Sequence, residues 1–221
     1  MRRYFITGTD TDCGKTYVTC QLVDFLKANN HEVIALKPVA SGCIEENGEL
    51  LSEDVLRLER HLCRESESLK ISKWRFKPPI SPHLAARAVG QTVSAKDIID
   101  FCESPMFDAY DDQLIEGAGG LMAPLNDDET WLDFLIQSQY PVILVVGMRL
   151  GCLNHALLTS FALTNQQINC VGWIANCLDK DMLVLEENIN TLVEKFDFPL
   201  IATIPFNDVI LPEPCCLKTF C

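Results

Sequence analysis

The sequence predicts an α/β fold in which a mostly parallel β-sheet carries helices on both faces. Short apolar runs alternate with longer segments of helical periodicity along the 221 residues, and this alternation is typical of parallel sheets. The clearest strand-type run, residues 141–146, is apolar throughout, as a strand buried on both faces is. Because no internal repeat or low-complexity segment interrupts the pattern, we expect a single domain spanning residues 1–221.

Each predicted element follows from the spacing of its apolar residues. A helix repeats them every three or four positions, as Val55, Leu58 and Leu62 do, whereas a strand is a short apolar or β-branched run. Residues 74–82 contain three prolines and are predicted to form a loop. The predicted strands cover residues 4–7, 32–36, 113–115, 141–146, 170–175 and 200–204, and the predicted helices cover residues 16–28, 54–62, 83–89, 95–102, 131–137, 155–164 and 183–196.

The charge of the chain limits its partners. Its 31 acidic and 18 basic side chains give a formal net charge of −13, which repels nucleic acid and anionic membranes, so we expect neither as a partner. No uninterrupted apolar run approaches the roughly 18 residues of a membrane-spanning helix. The same charge repels nucleotides, so any phosphate site must be locally positive, built from lysines, backbone N–H groups and a metal ion.

The eleven cysteines do not indicate a disulfide scaffold. Their number is odd, no Cys-x-x-Cys pair occurs, and Cys20, Cys170 and Cys177 lie inside apolar runs, where cysteine behaves as a small hydrophobic residue. Residues 1–3 lead directly into an apolar strand, without the apolar core of a signal peptide. We therefore expect a cytoplasmic protein with reduced thiols.

A phosphate-binding loop is predicted at Gly14-Lys15-Thr16, because this motif follows a strand and opens a helix. Backbone N–H groups at the helix start cradle phosphates, Lys15 reaches the β- and γ-phosphates, and the Thr16 hydroxyl ligates Mg²⁺. Five residues separate Gly8 from Gly14, where the strict pattern has four. The alternative is a chance match at a helix start. The motif predicts a P-loop NTPase-like fold.

Two acids are candidates for the metal site. Glu116 follows the strand at residues 113–115, which places it at the carboxyl edge of the sheet, where ligands of open α/β folds bind. The alternative for Glu116 is a solvated loop acid. Asp54 lies at the start of a predicted helix, where an acid commonly serves only as a cap or as a partner of the helix dipole.

Three further residues could act beside the phosphates. Lys37 ends the strand at residues 32–36 and points to the same sheet edge as Lys15, where it could neutralise charge on a transferring phosphoryl group. It could equally be a lysine that only extends its charge to solvent. Ser41 and Ser81 precede turns or helices, where serine is commonly a turn or capping residue.

The strand at residues 171–175 leads to a possible base-binding residue, Asn176. Its amide could bind the edge of a base. The guanine-type Asn-Lys-x-Asp signature is absent from residues 176–179, which favours adenine. Pro205 ends the last strand, and its alternative role is that of a strand terminator.

Together these motifs resemble the dethiobiotin synthetase family, ligases of the biotin pathway. The matching stretches occur in the family's order across nearly the whole chain, and they are residues 5–12, 14–16, 37–42, 116–120, 141–147, 150–159 and 172–176.

This resemblance implies a role for each matching residue. Lys37, Lys15 and Thr11 are implied to be catalytic, and Thr16, Asp54 and Glu116 to hold Mg²⁺. The implied substrate-binding residues are Ser41, Ser81, Gly151, Cys152 and Asn154, and the implied ATP-binding residues are Asp12, Cys13, Gly14, Lys15, Thr16, Tyr17, Asp54, Glu116, Gly117, Ala118, Gly119, Asn176, Cys177, Pro205, Phe206, Asn207 and Glu213.

The resemblance also implies a reaction and an assembly. The implied enzyme joins 7,8-diaminononanoate, CO₂ and ATP through a carbamate and a carbamic–phosphoric anhydride, and releases dethiobiotin, ADP and phosphate. It is implied to be a homodimer in which residues 151–154 bind the substrate carboxylate for the partner subunit.

Two departures and one rival function accompany the resemblance. Cys13 lies within the loop, which predicts that thiol alkylation there inhibits ATP turnover and that ATP protects. The tail at residues 212–221 has no counterpart in the family. The rival is a regulatory switch ATPase of the partitioning or division-site type, whose loop carries a lysine where this chain has Asp10.

Overall fold

The computed structural model describes residues 1–62, 71–209 and the backbone of residues 211–212. The strands β1 to β11, in chain order, are Arg2–Gly8, Val33–Leu36, Val39–Ala40, Ile44–Glu46, Glu49–Leu51, Trp74–Arg75, Asp112–Glu116, Val142–Met148, Cys170–Cys177, Leu200–Ile204 and Leu211–Pro212. The helices α1 to α7 are Lys15–Ala28, Glu53–Leu62, Pro82–Ala88, Ala95–Cys102, Trp131–Ser138, Cys152–Asn165 and Leu185–Lys195, and a 3₁₀ turn covers Pro105–Phe107. No helix of the described residues is both long enough and apolar enough to span a membrane.

A seven-stranded sheet forms the centre of the protein, in the order β11-β10-β9-β8-β1-β7-β2. The six strands from β10 to β2 pair in parallel, and only the edge strand β11 is antiparallel. This arrangement confirms the predicted mostly parallel sheet. Because the six strands run the same way, their carboxyl ends meet at one edge, where the side chains that follow them come together.

The sheet separates two apolar clusters. Along β8, Ile143 and Val145 belong to the larger cluster, whereas Leu144, Val146 and Met148 belong to the smaller one. Successive side chains of a strand point to opposite faces, so the two clusters lie on opposite sides of β8. The larger cluster includes residues of α1, α2, α4 and α5, and the smaller includes residues of α6 and α7. Helices therefore cover both faces, as predicted.

Short strands are the main difference from the sequence-based prediction. Trp74–Arg75 lies in the segment predicted to be a loop, yet it pairs in parallel with Val39–Ala40. Strands β4 and β5 form a hairpin around Asn47 and Gly48, whose φ angles of 52° and 83° are both positive, as a type I′ turn requires. Glu116 is the last residue of β7, and Asn176 lies within β9, whereas both were predicted to follow their strands. The two strands extend beyond the apolar runs that predicted them.

The described cysteines are all free. Cys20 and Cys177 are buried among apolar side chains, as their apolar surroundings in the sequence predict, and Cys170 is half-buried. Burial raises the pKa of Cys20 to about 12, with the carboxylate of Glu116 adding to the effect, so this thiol stays protonated at neutral pH. Cys20 is therefore a packing residue and not a nucleophile.

Candidate active site

The phosphate loop lies at the carboxyl end of the central strand β1, between Gly8 and the first residue of α1, Lys15. Gly14 has a φ of 89°, in the left-handed region, and a Cβ at this position would collide with the side-chain amide of Asn176. Because Gly14 caps α1 without a side chain, the first N–H groups of the helix are available to a bound anion.

Four side chains meet beside the loop, each delivered by a different element. Nζ of Lys37, which follows β2, lies 2.5 Å from Oε1 of Glu116 at the end of β7 and 2.9 Å from Oδ2 of Asp54 in the first turn of α2. The Thr16 hydroxyl donates to the same Glu116 oxygen at 2.6 Å. Lys37 and Glu116 are buried, whereas the Asp54 side chain is 42% exposed. We call these four residues, with Lys15, the phosphate side.

The electrostatics of this cluster keep Lys37 charged. Burial alone lowers the pKa of Lys37, but the charges of Glu116 and Asp54 and the hydrogen bonds to both carboxylates outweigh it, so the net effect is a raised pKa. Burial by itself raises the pKa of Asp54. The Lys37 charge and the hydrogen bonds from Lys37 and Thr16 outweigh this effect and hold the pKa of Asp54 below its ordinary value. Lys37 is therefore a fixed cation at neutral pH and not a general base.

One cavity of about 790 Å³ opens onto the phosphate side. Three basic side chains, Lys15, Lys37 and Arg57, line it and balance its three acids, although the whole chain carries a net charge of −13. The predicted site residues that line it are Thr11, Asp12, Gly14, Lys15, Thr16, Tyr17, Lys37, Ser41, Asp54, Ser81, Glu116, Ala118 and Gly119.

Several lining residues were not predicted. Arg57 lies one turn after Asp54 on α2 and brings a guanidinium to the cavity. The spacing of Asp54 and Arg57 on one helix face is the signal that could have identified it. The other additional lining residues are Pro79, Ile80, Pro82, Gly120 and Ala123.

The side chain of Cys13 does not face the cavity. It is only 1% exposed, and a Cβ added at Gly8 would collide with its sulfur, while a Cβ added at Gly147 would come within 3.0 Å of its Cα and Cβ. The prediction that thiol alkylation at Cys13 inhibits ATP turnover and that ATP protects stays a prediction, although this side chain is buried in the present conformation. The backbone of Cys13 remains in the loop, and its carbonyl accepts a hydrogen bond from Asn176 at 3.0 Å.

A second group of predicted residues lies on the other side of the loop. Asn176 and Cys177 end β9, and Pro205, Phe206 and Asn207 belong to the turn after β10. Asp208 N donates to the Pro205 carbonyl at 3.1 Å and closes this turn. We call Asn176, Cys177 and residues 205–208 the base side. None of these residues lines the 790 Å³ cavity, and Glu213 lies outside the described residues.

Four other predicted residues do not line the cavity: Gly117, Gly151, Cys152 and Asn154. Gly117 is buried against Phe5. Gly151, Cys152 and Asn154 lie at the start of α6, where Gly151 has a φ of 91° and Cys152 is buried. Ser81 does line the cavity and is the N-cap residue of α3, but its side chain makes no capping hydrogen bond, and its hydroxyl hydrogen-bonds instead to Nδ1 of His83 at 2.9 Å.

A parallel sheet, a loop that opens α1 with Lys15 and Thr16, and Glu116 at the end of the strand beside β1 define a P-loop nucleotide-binding protein. The fold resembles two solved structures. A cell division protein FtsY from Thermotoga maritima has a TM-score of 0.54 at 12% identity, with 96% of this chain and 65% of that chain covered. A chloroplast FtsY from Physcomitrella patens has a TM-score of 0.53 at 16% identity, with 99% and 64% covered. At such identities the likeness concerns the fold alone.

Sequence comparison identifies the family. A family model described as an AAA domain matches residues 2–213. The chain is 51% identical over 204 residues to an ATP-dependent dethiobiotin synthetase BioD from Legionella pneumophila, with 91% of this chain and 92% of the relative covered. A relative of the same name from Pseudoalteromonas translucida is 39% identical over 94% of this chain and 92% of its own. The chain belongs to the dethiobiotin synthetase family, and it is an ATP-dependent ligase.

Proposed function

We propose that this protein forms the cyclic urea of dethiobiotin from 7,8-diaminononanoate, CO₂ and ATP, and releases ADP and phosphate. The observation that carries the proposal is the shared cavity. Lys15 and Thr16 of the phosphate loop line the same space as Lys37, Ser41 and Ser81, so a nucleotide and a small amine substrate can meet there. The high identity to relatives named for this activity supports the same assignment.

Mg²⁺ is the cofactor that we propose for the phosphate side. Thr16, Asp54 and Glu116 would hold it, since all three offer the oxygen ligands that Mg²⁺ prefers. Oε2 of Glu116 is buried without a hydrogen-bonding partner among the described residues, which fits an oxygen awaiting a ligand. No group of three or more His, Cys, Asp or Glu residues in the described chain is arranged for a metal, so phosphate oxygens would complete the shell. The ion would neutralise negative charge on the phosphates.

The phosphate loop would bind the triphosphate. The N–H groups at the start of α1 would donate to phosphate oxygens, and Lys15 would contribute a positive charge. Nζ of Lys15 donates to the Asp10 carbonyl at 2.9 Å, so this charge is held inside the loop. The Asp10 carboxylate forms an ion pair of 2.9 Å with Arg149, the residue that follows β8, and this pair joins the loop to the end of that strand.

The proposed chemistry requires positioning and positive charge but no nucleophilic side chain. One amine of the substrate adds to CO₂ and loses a proton, giving a carbamate. A carbamate oxygen attacks the γ-phosphorus and the bond to ADP breaks, giving a carbamic–phosphoric anhydride. The second amine attacks the carbonyl carbon, gives up a proton to the departing phosphate and closes the ring as the bond from the carbonyl carbon to phosphate breaks. Lys37 and Lys15 stabilise the charge on the transferring phosphoryl group, and Thr11 orients it by hydrogen bonding.

Ser41 and Ser81 would bind the diamine end of the substrate, since both line the cavity across from the loop. Apolar lining residues suit the aliphatic chain of 7,8-diaminononanoate, and Ile80 is 43% exposed at this wall. The base side would bind adenine, with the Asn176 amide and Cys177 on one face and residues 205–207 on the other.

We also propose that the active protein is a homodimer. The exposed face of α6 supports this, since Leu158 is 60% exposed and Phe161 is 67% exposed, and such adjacent apolar residues favour a protein contact. Gly151, Cys152 and Asn154 at the start of α6 would then bind the substrate carboxylate of the partner subunit through helix N–H groups. Sedimentation of the wild type and a Phe161→Arg variant tests this, and a monomeric wild type would contradict it.

The reaction itself is tested by measuring ADP release with bicarbonate, with and without 7,8-diaminononanoate. We expect ADP release to depend on both, and ¹³C from labelled bicarbonate to appear in a product of the mass of dethiobiotin. A matched control replaces the diamine with 8-aminononanoate, which can form a carbamate but cannot close the ring. ADP release that is independent of the diamine, or label that is absent from the cyclic product, would contradict the proposed function.

A further inference from the structure

The hydroxyl of Tyr17 joins the two sides of the candidate site. Tyr17 follows Lys15 and Thr16 in the first turn of α1 and lines the cavity. Its Oη donates a hydrogen bond of 2.6 Å to the carbonyl of Asp208, which is 191 residues away in the chain. The bond therefore runs from the helix that carries the phosphate loop to the turn of the base side.

The turn that Tyr17 contacts is exposed. Phe206 is 41% exposed, and Asn207 adopts a left-handed φ of 54°. Within the turn, Asp208 N donates to the Pro205 carbonyl at 3.1 Å, and Asp208 Oδ1 accepts from Val209 N at 2.8 Å. These bonds within the turn set its shape, but they do not join it to α1. The hydrogen bond from the Tyr17 hydroxyl does join the turn to that helix.

We propose that Tyr17 is a positioning residue that holds the turn at residues 205–208 against α1 and thereby forms the base-side wall before ATP binds. This inference rests on the proposed placement of adenine against residues 205–207. Because the triphosphate and the base are joined covalently, a fixed distance between the loop and the turn lets both ends bind without an added ordering cost. The bond from Asn176 to the Cys13 carbonyl provides a second link between the two sides, at the loop itself.

A Tyr17→Phe substitution tests the proposal, because it keeps the ring and removes only the hydroxyl. We expect the Kd for ATP to rise about two- to tenfold, which is the effect of losing one net hydrogen bond, with kcat within about twofold of wild type. Inorganic tripolyphosphate carries the phosphates without the adenosine, so its binding should stay unchanged. Binding is measured by calorimetry and needs no ligase activity, so a failure of the proposed reaction remains distinguishable.

Hydrogen exchange separates positioning from direct contact with the nucleotide. In the nucleotide-free protein, the amides of Asp208 and Val209 should exchange faster in Tyr17→Phe than in wild type, since the turn has lost its link to α1. Tyr140→Phe is the matched control, because the Tyr140 hydroxyl bonds Glu103 at 3.0 Å, outside the site residues. It should change neither ATP binding nor exchange at these amides.

Two results would overturn the role of Tyr17. Equal exchange rates in the nucleotide-free variant and wild type would show that the hydroxyl does not position the turn. An equal loss of affinity for ATP and tripolyphosphate would show a defect of the phosphate loop and not of the base side.

Discussion

The phosphate side and the base side of the candidate site are built in different ways. On the phosphate side, Lys37 and Glu116 are buried at strand ends and joined by a contact of 2.5 Å, with Thr16 bonded to the same carboxylate. On the base side, the turn at residues 205–208 is largely exposed, and a single tyrosine hydroxyl joins it to α1. The phosphate side is part of the protein's core, whereas on the base side Asn176 and Cys177 are buried and the turn lies at the surface.

This difference suggests how the two sides divide the work. Stabilising charge in a transition state requires groups that do not reorganise during the reaction, and buried strand ends provide them. Binding a base requires area and a few polar contacts, which an exposed turn can supply. We therefore expect substitutions on the phosphate side to impair both stability and turnover, and those on the base side to weaken nucleotide binding alone.

The largest effect is expected for Lys37→Gln. The substitution removes the positive charge from the phosphate side and leaves the buried Glu116 carboxylate without its ion-pair partner. We expect kcat for ADP formation to fall at least about 100-fold, and the free energy of unfolding in urea to fall by about 3 kcal/mol.

Lys96→Gln is the control for Lys37. Its side chain is 76% exposed and pairs with Asp100 on the helix surface, so the stability change should stay below about 0.5 kcal/mol with full activity. If Lys37→Gln turned over ATP at the wild-type rate, the residue would have no part in the mechanism.

An intermediate effect is expected for Gly14→Ala, at the position where the two sides meet. The left-handed φ of 89° strains alanine, and the added Cβ collides with the Asn176 amide. We expect a loss of about 1–2 kcal/mol in the free energy of unfolding. We also expect the Kd for ATP to rise more than about tenfold, since the loop must shift away from its bonded position.

Gly90→Ala separates the effect of the left-handed φ from the effect of the collision with Asn176. Gly90 has a similar φ of 69°, but an added Cβ has no neighbour within 4 Å. It should lose less stability than Gly14→Ala, since only the left-handed φ strains it, and it should retain ATP binding. Equal ATP affinity in the two variants would contradict a role for the collision with Asn176.

The contrast between the sides also explains what could be predicted from the sequence. Lys37 and Glu116 were identifiable because strand patterns predict where strands end, and parallel strand ends meet at one edge. Arg57 was missed although it lies one turn after Asp54 on α2, because only the packing of α2 shows which side of that helix faces the cavity. The burial of Cys13 depends on the small size of Gly8, beside its sulfur, and of Gly147, which is 134 residues away in the chain on the neighbouring strand β8.

In the fold, too, features that depend on tertiary contacts could not be predicted from local sequence patterns. Its long parallel strands follow from apolar runs, whereas Val39–Ala40 and Trp74–Arg75 are two-residue strands whose pairing spans the intervening helix. Such short strands carry too few residues for a periodic pattern. The hairpin at Asn47 and Gly48 is a different case, because that dipeptide is a turn signal that the sequence already contained.

The smallest effect is expected for Phe206→Ala, on the exposed turn. Removing the ring takes away a surface on which adenine can stack, and since Phe206 is 41% exposed, little packing is lost. We expect the KM for ATP to rise about fivefold, with kcat unchanged and the free energy of unfolding within about 0.5 kcal/mol of wild type. Val209→Ala, at a nearby residue that is 57% exposed, should leave the KM for ATP unchanged. A fall in kcat without a change in KM would place Phe206 with the phosphate side, and the division between the two sides would then not hold.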